Sequence, residues 1–244
     1  MKKVTPKELK QLRPKRVLSN DVWLADGMLS PEIRESLLKI ANEFYIFLGI
    51  EVVVEDITFT GSLANYNYTK FSDIDLHLLV DYREIDENID LVRDFLSAKK
   101  TVWNDKHNIF VKGYEVELYA QDVNEPHHST GVYSILKNEW IKKPKIGKPD
   151  IDLIAIKEKV KSLMKRIDRA IDSPNRREKL EQIKEKIRTM RQAGLERAGE
   201  FSIENLSFKV LRRNGYLEKL YDISLKDYDT SLSLKQESSI QNNS

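Results

Sequence analysis

The sequence predicts an α+β fold, a small mixed β-sheet with flanking helices followed by an α-helical domain. Two observations predict it. Between residues 51 and 122 short apolar runs alternate with turn residues and with one helix-spaced segment, the pattern of a sheet with helices laid against it. After Pro144, Gly147 and Pro149 the apolar residues recur instead at intervals of three and four, and this continues toward the C-terminus.

Each element has its local signal. Ser30-Pro31-Glu32 predicts a helix start, with an N-cap, a proline in the first turn and an early acid. Ile33, Leu37, Ile40, Phe44 and Phe47 follow at helical spacing until Gly49. Glu51 to Thr60 reads as the first strand, and Asp73 to Asp81 as the second. Ile85, Ile89, Val92 and Leu96 form one face of the next helix. Ile109 to Lys112, a turn at Lys112-Gly113, and Tyr114 to Ala120 predict a hairpin. In the helical domain Leu153, Ile156, Val160, Leu163, Ile167 and Ile171 mark one amphipathic helix. Leu180, Ile183, Ile187 and Met190 mark a second, with Ser173-Pro174-Asn175 as the break. A third runs from about Ile203 to Arg213 and stops at Asn214-Gly215. The expected organisation is a basic N-terminal segment over 1–29, a sheet domain over 30–143, a helical domain over 150–228 and a disordered tail over 229–244, rich in Ser, Gln and Asn.

Composition narrows the function classes. The 244 residues are 40% hydrophobic and 33% charged, as in a soluble globular protein, and no run of eighteen apolar residues predicts a membrane span. The absence of cysteine excludes disulfides, thiolate catalysis and cysteine-bound zinc, and it agrees with a cytoplasmic setting. Met1-Lys2-Lys3-Val4 lacks the apolar stretch of a signal peptide, so no targeting segment is expected. The net charge of +2 conceals two basic clusters, one over the first sixteen residues and one containing Lys137, Lys142, Lys143, Lys145 and Lys148. Such clusters suit the phosphates of a nucleotide or nucleic acid, and equally a solvated lysine-rich linker.

The chemistry concentrates in one segment. An apolar run through Thr58-Phe59-Thr60 ends at Gly61-Ser62, where a glycine turn lets backbone N–H groups approach a triphosphate. After a spacer from Leu63 to Ser72 come Asp73-Ile74-Asp75-Leu76. On a strand the two aspartates share a face while Ile74 and Leu76 face the core. Carboxylates that close repel each other unless a cation lies between them, and oxygen ligands suit Mg²⁺ or Mn²⁺. A further acid stands on Tyr114-Glu115-Val116-Glu117-Leu118-Tyr119, where both Glu115 and Glu117 face the same side.

Gly-Ser, a spacer, Asp-x-Asp between apolar residues and then a third acid on a later strand resemble the signature of the DNA polymerase β-like nucleotidyltransferase superfamily, over roughly residues 50 to 122. The resemblance implies that Asp73, Asp75 and Glu117 bind two Mg²⁺ ions (or Mn²⁺) and serve catalysis, with Glu117 preferred over Glu115 for its apolar flanks. It implies that Gly61 and Ser62 bind the phosphates of an NTP. It also implies a lysine and an aromatic ring for triphosphate and base, for which Lys209 and Tyr133 are the candidates.

The expected activity is transfer of an NMP from an NTP to a hydroxyl acceptor. That acceptor could be RNA or tRNA, to suit the lysines, or a nucleotide, a small molecule or a protein. In small antibiotic-modifying relatives an arginine often follows Gly-Ser, and Leu63 stands here instead. A glycosyltransferase with a metal-binding Asp-x-Asp would leave Gly61-Ser62 and Glu117 without a role. A catalytically silent binding module would not need all three acids. His77, on the face of Asp75, reads as a partly buried, satisfied histidine or a substrate contact, and His127-His128 as a loop feature. Asn65 to Lys70, with Tyr66 and Tyr68, could meet base or acceptor. Ser129 to Ser134 reads either as a glycine turn near the ligand or as a strand-to-helix cap.

Overall fold

A computed structural model describes residues 4–127, 129–147 and 149–234. The chain forms two compact units, residues 11–149 and residues 150–244 together with 1–10. The first is built on a six-stranded sheet in the order β3-β4-β2-β1-β5-β6, with strands β1 (Asp56–Thr60), β2 (Ile74–Val80), β3 (Phe110–Val111), β4 (Tyr114–Asp122), β5 (Val132–Ser134) and β6 (Glu139–Lys142). Only β2 and β4 run parallel; the other neighbours are antiparallel, so the sheet is mixed as expected.

Helices α2 (Pro31–Leu48) and α3 (Ile89–Lys106) cover one face of this sheet. On α2 the buried positions Ile33, Leu37, Ala41, Phe44 and Leu48 recur every three to four residues and meet Phe59, Ile74, Leu76, Leu78, Val116 and Leu118 in one core. Each of these side chains other than Ala41 contributes about 1.5–3 kcal/mol by leaving water. The helix ends where Gly49 takes φ 68°, but Ser30 at its start makes no side-chain cap bond, so Pro31 alone marks the entry. Trp23, outside the predicted sheet domain, belongs to this core. Its ring stacks on Phe59 and Trp140 at centroid distances of 5.4 and 4.6 Å, and its Nε1 donates to the Leu63 carbonyl at 2.8 Å. Apolar burial thus draws the chain ahead of α2 under the sheet.

Three strand expectations change. The first strand begins at Asp56, five residues later than the pattern predicts. Over the stretch before it Val53 is exposed, and only Glu55 donates a backbone bond, to Leu79. The segment Ser129 to Ser134 runs into β5, so it is not a strand-to-helix cap, and the lysine-rich stretch after it opens with β6. The hairpin of β3 and β4 forms as predicted, its turn held by Lys112 and Gly113 at φ 51° and 82°.

The second unit is helical. It contains α1 (Pro6–Lys10), α4 (Leu153–Ile171), α5 (Arg176–Ala198), α6 (Ile203–Arg213) and α7 (Tyr216–Leu232). Buried stripes of Ile156, Val160 and Ile167 on α4, Leu180 and Ile187 on α5, Val210 on α6 and Leu220 on α7 form its core. The tail expected to be disordered from Asp229 is helical as far as Leu232; residues 235–244 lie outside the described residues. No helix among the described residues is long and apolar enough to cross a membrane.

Candidate metal centre

Both sides of the site come from the parallel pair β2 and β4. Their register sets Asp75 opposite Glu117 and His77 opposite Tyr119, all on the face turned away from α2 and α3. Asp73 lies just ahead of β2. One carboxylate oxygen from each of Asp73, Asp75 and Glu117 falls within 4.8 Å of the others, and all three residues are half-buried. Glu115 is exposed and stays outside this cluster.

These residues fit a divalent cation. Three carboxylates so close repel one another, a cation between them offsets that repulsion, and an all-oxygen set is what Mg²⁺ and Mn²⁺ prefer.

Gly61 is part of the same construction. It ends β1 at φ 74°, and a Cβ there would lie 1.7 Å from Asp75 Oδ2. Glycine is thus required twice, by the left-handed backbone and by the carboxylate against it. We expect Gly61→Ala to cost about 1–2 kcal/mol from the backbone alone and also to displace Asp75. Thermal denaturation with and without Mn²⁺ should show a lower apo Tm and a lost Mn²⁺-dependent rise; a retained rise would separate the turn from the metal centre.

The rest of the turn is cross-braced. Ser62 Oγ donates to Ser72 Oγ at 2.7 Å, and Ser72 Oγ accepts from the Thr69 N–H at 2.9 Å, so the loop between turn and aspartates is pinned at its ends. Asn65 is buried. Its Nδ2 donates to the Gly61 carbonyl at 3.2 Å, and its Oδ1 accepts from Thr130 Oγ1 at 2.9 Å. Asn65 therefore acts as a brace between the turn and the 129–131 segment.

Around Glu117 the structure adds residues that sequence reasoning left without a role. The Tyr119 hydroxyl donates to Glu117 Oε2. Burial first, then the bond to Glu117 and its charge, hold this phenol far above its ordinary pKa, so it stays a donor. The Tyr119 ring stacks on His77 at 4.9 Å. His77 donates from Nδ1 to Gln121 Oε1 at 2.8 Å and accepts at Nε2 from Thr60 Oγ1 at 3.2 Å. Burial pushes its pKa down to about 4 against the opposing Gln121 bond, so the ring is neutral near pH 7. The only sequence signal for Tyr119 and Gln121 was their spacing of two and four from Glu117 on one strand face.

One further expectation differs in placement. Tyr133 is fully buried, edge-on to Trp23 and Trp140, with its hydroxyl donating to Asn138 Oδ1 at 2.9 Å. A ring enclosed in this way offers no face to a base, which corrects its expected role. Lys209 lies on α6 in the helical unit. His127 lines a cavity beside His77, while His128 lies outside the described residues.

Comparison with solved structures returns the STING-associated CdnE c-di-GMP synthase from Capnocytophaga granulosa, at 14% identity and a TM-score of 0.22, over 80% of this chain. The chain spans about 65% of the length of that protein. No protein-family model matches the chain, and no curated protein does. At so low a TM-score the likeness adds nothing to the triad's geometry, which stands on its own.

Proposed function

We propose that this chain is a metal-dependent nucleotidyltransferase, moving an NMP from an NTP to a hydroxyl acceptor with release of pyrophosphate. The observation that carries it is the convergence of Asp73, Asp75 and Glu117 within 4.8 Å beside a glycine turn that touches Asp75. Divalent cations bound there would offset charge on the phosphates and make the acceptor hydroxyl a better nucleophile. The chain's own part is placement. The backbone and hydroxyl of Gly61-Ser62 would hold the triphosphate, and the carboxylates of β2 would align its α-phosphorus. The acceptor oxygen forms a bond to that phosphorus while the bond to the bridging oxygen breaks. Pyrophosphate leaves with the electron pair, and the hydroxyl proton passes to Glu117. Tyr119, donating to one oxygen of Glu117, would keep the other turned to the site.

The test is incubation of purified protein with α-labelled NTPs, Mg²⁺ or Mn²⁺ and a mixture of RNA, nucleosides and polyols, followed by separation of products and a pyrophosphate assay. We expect label transfer with one pyrophosphate per product. Absence of both, together with no Mn²⁺-dependent NTP binding, would overturn the assignment.

A further inference from the structure

Directly beside the triad, one step further along β2 and β4, lies a cavity of about 510 Å³ whose lining includes Thr60, His77, Tyr119, Gln121, Glu125 and Ser129. Two residues of strand span about 6.6 Å, so this cavity begins within a short bond path of the carboxylates. Resting on the nucleotidyl-transfer assignment, we propose that it is the acceptor subsite, and that the acceptor is a small uncharged ring compound bearing hydroxyls.

The lining decides the class. Among its described residues there is no lysine or arginine, while Glu125 contributes a carboxylate and His77 and His127 contribute imidazoles. A phosphate placed there would meet a carboxylate and no lysine or arginine of the lining, so a nucleic-acid strand is a poor occupant. Three cations touch lining residues from outside: Arg93 donates to Glu125 Oε1 at 3.2 Å, Lys100 sits 4.9 Å over the Tyr119 ring, and Lys142 donates to the Ser129 carbonyl at 2.9 Å. All three are engaged by the protein itself. What the cavity does offer is hydroxyls on Thr60 and Ser129, the Gln121 amide, and carbon surface on Tyr119, Ala120 and Pro126. Polar groups in several directions around an apolar lining match a ring with hydroxyls on its edge. Thr58, opposite His77 on β1, is fully buried with its hydroxyl unpartnered among the described residues. The volume lies within the range of small-molecule sites, about 300–1,000 Å³. The acceptor hydroxyl would enter the bond exchange described above, with the NTP as co-substrate.

The experiment measures binding of adenosine, uridine and myo-inositol by saturation-transfer NMR and calorimetry at low and high salt. The proteins are the wild type, Gln121→Leu, Ser129→Tyr, and the double variant Asp73→Asn with Asp75→Asn. At least one compound should bind the wild type and the double aspartate variant, with little salt dependence and at least about tenfold weaker binding to the cavity variants. The nucleosides against inositol tell whether the ring is a base-bearing sugar or a free polyol. Two cavity variants guard against one failing to fold, and circular dichroism identifies a misfolded one. Binding of none of the three compounds, equal binding to both folded cavity variants, or their displacement by an oligoribonucleotide would overturn the proposal. Mn²⁺-dependent NTP binding, measured in parallel, separates the two claims: its loss with ring binding intact sinks the transfer assignment, and its presence with no ring binding sinks the cavity assignment.

Discussion

Replacing Asp73 and Asp75 together by asparagine is expected to lower NMP transfer by three orders of magnitude or more, which is about 4 kcal/mol of barrier. The two side chains are near-isosteric, so the Gly61 contact with Asp75 and the packing of Ile74 and Leu76 survive. What goes is negative charge in a cluster whose ligand atoms lie within 4.8 Å of one another. Since those charges repel when no cation is present, the apo variant should melt at the wild-type temperature or slightly above it. Metal binding only to the folded state raises Tm by mass action, so Mn²⁺ should stabilise the wild type and not the variant. Thermal scans with and without Mn²⁺, alongside the transfer assay, check both halves. A double variant that transfers nucleotide at the wild-type rate would remove the triad from the active site.

Much of this site was legible because it is local. Gly61, Asp73 and Asp75 lie within one loop and one strand, and period-two alternation alone puts both aspartates on the face opposite Ile74 and Leu76. The Lys112-Gly113 turn likewise announced its hairpin by residues that tolerate positive φ. What escaped depends on contacts distant in sequence. β5 and β6 are three and four residues long, too short to show a period, and they form only because β1 offers an edge to Tyr133 and Ser134. Tyr133 looked like a base-stacking ring because its enclosure comes from Trp23 and Trp140, one far upstream and one across a bulged strand pair. Asn65 reads as a loop residue until Thr130 is seen against it. α7 left little trace as a separate helix, since its exposed face carries Tyr221, Leu225, Tyr228 and Leu232 and blurs the apolar stripe. The choice between Glu115 and Glu117 lies between these cases: alternation makes them equivalent, the apolar flanks favour Glu117, and strand register sets Glu117 opposite Asp75.

That register predicts a wide separation between two conservative changes. Glu117 sits opposite Asp75 on the parallel neighbour, and its carboxylate is within 4.8 Å of both aspartates. Glu115 lies one step nearer the hairpin turn, exposed and paired with Phe110 of β3. Glu117→Gln keeps shape and the bond from Tyr119 but removes a charge from the cation's ligand set and the proton acceptor with it. Turnover should therefore fall by about a thousandfold, again about 4 kcal/mol. Glu115→Gln changes a solvated side chain and should alter turnover less than about twofold and stability by about 0.5 kcal/mol or less. The Mn²⁺-dependent rise in Tm should shrink in the first variant and persist in the second. Steady-state transfer rates and metal titrations of the pair test the assignment; a larger loss for Glu115→Gln would shift the third ligand by two residues along β4, so that the register observed between β2 and β4 could not be the one that operates in catalysis.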